Sequence, residues 1–128
     1  MSAFSNYLEE KILRAVLNGQ NFPPIPAVYM GLHLTSPTDE NIGLEVDRDS
    51  YSRILVDFTE PDASVVTNLY NLNFPIATEG WGTITYFGIY DAPINGNLLF
   101  WGSFSDPVLI DAGDTLRIPS GVLAVTVD

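Results

Sequence analysis

A chain of 128 residues fits one domain, long enough to bury roughly two-thirds of its unfolded surface without staples. Its 46% apolar content excludes wholesale disorder, and with no cysteine it has no disulfide or thiolate chemistry. Sixteen acids against five basic residues leave a net charge of -11, so phosphate backbones and anionic membranes are repelled and neither nucleic acid nor membrane is an expected partner.

Met1 to Lys11 lacks the basic-then-apolar order of a secretory signal, and no apolar run approaches the ~20 residues that span a bilayer. Instead the chain opens with a helix signal over residues 1–19. Asn6 can cap, with Glu9 three residues later in the capping-box position. Leu8, Ile12 and Val16 fall at i, i+4 and i+8 with Leu13 and Leu17 beside them, and Asn18-Gly19 ends the segment. A helix of about twelve residues is marginal alone, so Leu8, Ile12 and Val16 are expected to dock on the domain or on a neighbouring subunit. Residues 20–27 follow as a proline-rich connector, since Pro23, Pro24 and Pro26 cannot lie in a central strand.

From residue 28 to 128 the pattern turns to period two. Val28, Met30, Leu32 and Leu34 define one strand face, Ser52, Ile54, Val56 and Phe58 a second, and Tyr70, Leu72 and Phe74 a third. Trp81 to Phe104 reads as a long apolar hairpin. Ile84, Tyr86, Gly88 and Tyr90 alternate with Thr85, Phe87 and Ile89, and Asn95-Gly96 supplies the positive-φ turn. Val108 and Ile110, then Leu116 and Ile118, then Leu123, Val125 and Val127 predict three further strands. About eight short strands at this spacing predict a mainly β, single-domain antiparallel β-sandwich, jelly-roll-like, with one short N-terminal α-helix.

Reactive groups are sparse. His33 is the sole histidine and is expected to be structural or at the surface. The acidic stretch Thr38 to Asp49 offers Asp39, Glu40, Glu45, Asp47 and Asp49 as carboxylate ligands for calcium. Its spacing matches no EF-hand loop, Arg48 opposes a nearby cation, and a solvated loop is the simpler expectation; no cofactor is required. Asp106, Asp111 and Asp114 flank turns, where Asp bonds locally. Among the aromatics, Trp81 stands between Gly80 and Gly82 and is the candidate for an outward contact, on a partner protein or a sugar ring.

Several motifs then carry a resemblance: Ser5-Asn6-Tyr7-Leu8-Glu9, Val28-Tyr29-Met30-Gly31-Leu32, Thr35-Ser36-Pro37-Thr38-Asp39, Tyr51-Ser52-Arg53, and above all Trp81 to Asp91 with Gly96 to Phe100. The chain resembles a family of small bacteriophage virion proteins often labelled phage tail fibre proteins. That family usually has a glycine-rich turn before the tyrosine, where this chain has Asp47-Arg48-Asp49-Ser50. The resemblance implies a virion location, other virion proteins as partners and no catalytic residues. An extended fibre calls for repeats, a coiled coil or a β-helix, and none is visible. The expectation is therefore a non-enzymatic capsid decoration or cement protein docked in many copies, a homo-oligomer such as a trimer. The alternative is a tail fibre, tail adaptor or receptor-binding, glycan-binding module.

Overall fold

The computed structural model describes residues 2–22, 24–37 and 44–126. The chain begins with a short strand β1 (Ser2–Phe4) and enters helix α1 (Asn6–Leu17) directly. The helix cap is Ser5, not Asn6. The Ser5 N–H is held by the Leu99 carbonyl at 2.9 Å, and its Oγ accepts the Leu8 N–H at 3.2 Å. Glu9 therefore lies one residue too far to complete a capping box. At the other end Gly19 is left-handed at φ 70, and the Asn18 and Gln20 N–H groups both reach the Arg14 carbonyl at 3.1 Å.

The inward face of α1 also differs from the expected stripe. Leu8 is buried, and Ile12 and Ala15 are half-buried. The helix thus docks at i, i+4, i+7, and Val16, expected to continue the stripe, lies on the solvent side with Leu13 and Leu17. A straight helix turns about 100° per residue, so a strict i+4 row drifts off the docking face by its second step.

Eight more strands follow: β2 (Val28–His33), β3 (Ile54–Val56), β4 (Val65–Thr67), β5 (Leu72–Asn73), β6 (Gly82–Tyr90), β7 (Leu98–Ile110), β8 (Arg117–Ile118) and β9 (Ala124–Thr126). They form a five-stranded sheet in the order β1-β7-β6-β2-β3 and two ribbons, β4-β9 and β5-β8. Every pairing is antiparallel. The fold class is thus mainly β, with a single short helix among the described residues. The core holds one face of the wide sheet, through Met30, Leu32, Ile84, Phe87 and Ile89, against the β5-β8 ribbon, through Leu72 and Ile118, and Leu123 just before β9. Buried Asn68 ties the ribbons together. Its Nδ2 donates to the carbonyls of Tyr70 and Pro119, and its Oδ1 accepts the Leu123 N–H at 2.9 Å.

The hairpin departs from simple alternation. Ile84 pairs with Val108 but Tyr86 pairs with Ser103, so Phe104 to Pro107 bulge opposite the single residue Thr85. Such a bulge tolerates Pro107, which has no N–H to give the ladder. It also shifts the phase of β6, and Ile84 joins Phe87 and Ile89 in the core instead of sharing a face with Tyr86 and Tyr90. The segment Val108 to Ile110, expected as a separate strand, is the far end of β7.

Candidate functional site

Opposite the core, the wide sheet carries a polar cluster in a hollow made by two glycines. Gly31 and Gly88 face each other across β2 and β6. A Cβ on Gly31 would lie 2.7 Å from Glu45 Oε2, and one on Gly88 would lie 2.8 Å from Leu98 Cδ1 and 2.9 Å from Tyr90 Cε1. Only glycine leaves room here for the side chains above.

Glu45 and Arg53 meet in a fork. Arg53 Nε donates to Oε2 and Nη2 to Oε1, each at 2.9 Å. The pair is well shielded, with 7% of the Arg53 side chain and 18% of the Glu45 side chain exposed. The Tyr51 hydroxyl donates to Glu45 Oε2 at 2.5 Å and accepts the Leu32 N–H at 2.9 Å. Arg53 covers the Tyr90 ring at 3.5 Å from its centroid, and the Tyr90 hydroxyl lies 2.8 Å from His33 Nε2. His33, fully buried, is a structural member of this cluster.

Arg53 also reaches into the loop between β6 and β7. Its Nη1 donates to the Ala92 carbonyl at 3.0 Å and the Asn95 carbonyl at 2.8 Å. Asp91 closes the same loop on Asn97, accepting its backbone N–H at 2.7 Å and its side-chain amide at 2.9 Å. Asn95 and Gly96 take the positive φ that their sequence implied. A cleft of about 560 Å³ runs between this loop and residues 45–53, with Glu45, Arg53, Tyr90 and Ile94 among its lining.

Electrostatics make the cluster a clamp. Burial alone would raise the Glu45 carboxyl, but the bonds from Arg53 and Tyr51 outweigh burial and hold it below its ordinary 4.5. Burial lowers and the Glu45 bonds raise Arg53, with a net rise. Burial and then the Glu45 charge push both Tyr51 and Tyr90 above the usual phenol value. A carboxylate so stabilised is a poor proton donor, and phenols so held are poor nucleophiles. What the arrangement does well is fix the loop shape and present Ile94, which is exposed, at the tip.

The other expected site residues scatter. Trp81, expected to point outward, is 2% exposed. Its Nε1 donates to Ser50 Oγ at 3.0 Å and its ring meets Tyr51 edge-on at 5.5 Å. The flanking glycines shape the turn into β6 without exposing the indole, so Trp81 offers no stacking surface to a sugar. Leu8 is committed to the interior, whereas Val16 is exposed. Of the calcium candidates, Asp39 and Glu40 lie outside the described residues, Glu45 is held by Arg53, and Asp47 and Asp49 are exposed. Among the described residues no group of three or more His, Asp or Glu is placed to hold a metal.

The clamp was missed in the sequence because Glu45, Tyr51 and Arg53 meet His33 and Tyr90 only through the pairing of β2 with β6. Its signals were the isolated glycines inside two strand patterns and the shared face of Tyr51 and Arg53. The divergent turn Asp47-Arg48-Asp49-Ser50 has a clear local task. Arg48 Nε donates to the Gly80 carbonyl at 3.2 Å, and Ser50 Oγ accepts from both Trp81 and the Thr78 N–H. It buttresses the entrance to β6.

No curated protein matches the chain. The family described as podophage GP4 fiber I protein gp80 matches residues 3–126, which takes in the helix, the clamp, the loop and all but the first residue of the sheet. The chain therefore belongs to the podophage GP4 fiber I protein gp80 family and is a structural protein of the phage virion.

Proposed function

We propose that this chain is a non-enzymatic component of the tail fibre apparatus, a rigid module that acts by being held in place and by presenting its loops. The family match over residues 3–126 carries this reading, because the family is described as a fibre protein. The clamp supports it: Glu45, Arg53 and Tyr51 bond one another, Arg53 also holds the Ala92 and Asn95 carbonyls, and the Tyr90 hydroxyl meets His33. Glycan recognition is not needed for this role, and burial of Trp81 removes the aromatic residue expected to make an outward contact.

Capsid decoration is the second reading, favoured by a short chain without repeats. Copy number separates the two. Quantitative mass spectrometry of purified particles is expected to give a count set by tail symmetry, on the order of ten, whereas a decorated capsid lattice carries on the order of hundreds. A count in the hundreds would overturn the tail reading.

A further inference from the structure

Among the described residues, two apolar surfaces lie uncovered and differ in the sign of the charges near them. The first is the outer face of α1, where Leu13, Val16 and Leu17 stand at i, i+3 and i+4 with 55%, 73% and 73% exposure. The second is an open groove of about 380 Å³ between the wide sheet and the β4-β9 ribbon, lined by Val28, Phe58, Pro61, Val66, Phe100 and Val125. A helix face three apolar side chains wide and an apolar groove of this size match the helix-in-groove mode of recognition.

Charge chooses the occupant. Copies of a chain with net charge -11 repel one another over most of their surfaces. The helix end is different: from Lys11 to Thr38 there is no Asp or Glu, and Lys11 and Arg14 flank the exposed apolar face. Arg14 is paired with Glu10, yet half its side chain remains exposed. The groove segment has the opposite sign, since the exposed acids Asp57, Glu60 and Asp62 are close chain neighbours of its lining residues Phe58 and Pro61. Helix on helix would set Lys11 and Arg14 against their own copies, and groove on groove would do the same for the three acids. Only helix on groove is favourable in both apolar contact and charge.

We propose that the outer face of α1 in one copy docks into the β4-β9 groove of a second copy, a heterologous contact that closes into a ring or extends into a linear array. The contact uses surfaces of the isolated chain, so it stands or falls independently of where on the particle the protein sits.

Sedimentation of the purified full-length chain over a concentration series tests it. The wild type is expected to form species heavier than a monomer, weakened by added salt. Two exposed-surface variants remove one partner surface each: Val16→Gln with Leu17→Gln on the helix, and Glu60→Lys with Asp62→Lys in the groove segment. Each alone is expected to associate at least about tenfold more weakly than wild type. Mixing the two is expected to restore a one-to-one dimer, because the helix of the second variant still meets the groove of the first. Circular dichroism verifies that both variants are folded, and with either unfolded the wild-type series alone decides. A wild type that stays monomeric at all concentrations, or folded variants that fail to dimerise on mixing, would overturn the proposal.

Discussion

Arg53 connects more of the functional face than any other side chain, since it holds Glu45, covers Tyr90 and carries the Ala92 and Asn95 carbonyls. Truncating it leaves a shielded carboxylate without its counter-charge, and Arg53→Ala is expected to lower stability by about 3 kcal/mol in urea unfolding. The pH dependence follows from Glu45. Its carboxyl in the folded chain titrates below the ordinary 4.5, so its share of stability is complete above that value and is lost as pH falls through the lower, folded-state value. Acidification below about 4.5 is therefore expected to destabilise the wild type more steeply than Glu45→Gln, which starts lower at neutral pH but has no such proton to take up. Trp81 behaves as a core residue: Trp81→Ala is expected to cost about 3–5 kcal/mol in the same assay. Little of this was legible residue by residue. A glutamate in an acidic stretch, a Tyr-Ser-Arg triplet and a histidine in a strand each have ordinary readings, and only the facing of Gly31 and Gly88 makes them one site. Trp81 misled because neighbouring glycines signal a sharp turn equally well whether the side chain between them points in or out.

Among the elements, those with several periods of pattern were the readable ones. The helix Asn6–Leu17 and strands β2 and β6 lie where their apolar spacing put them. Strands β1 and β4, three residues each, have no period to read and form because β7 and β9 offer them backbone partners. The bulge at Phe104 to Pro107 shows why phase is harder than existence: the register shifts between Ile84 and Tyr86, and Ile84 lies in the core with Phe87 and Ile89. The turn that leads into β4 contains a testable strain. Asp62 and Val65 exchange both backbone hydrogen bonds around Ala63 at φ 52 and Ser64 at φ 65, a two-residue hairpin turn built without glycine. Replacing Ala63 with Asn and Ser64 with Gly is expected to stabilise the chain by about 1 kcal/mol, read as a raised Tm. A lowered Tm would mean that these two side chains make contacts worth more than the strain.

At the scale of the molecule, a chain with net charge -11 has a stretch from Lys11 to Thr38 without Asp or Glu. The mainly β class was legible because strand periodicity repeats along most of the chain, whereas assembly depends on which apolar residues are left outside, and sequence alone put Val16 on one stripe with Leu8 and Ile12 without telling domain from neighbouring subunit. With Glu45 occupied by Arg53, EDTA is expected to leave the Tm unchanged; a fall reversed by calcium would point to ion binding through the remaining acidic residues. The fibre assignment is tested most directly by an asymmetric reconstruction of the intact particle into which this fold is placed. Density for the five-stranded sheet and α1 is expected at the tail, in a number matching the tail's symmetry. The same density distributed over the capsid lattice, with none at the tail, would contradict it.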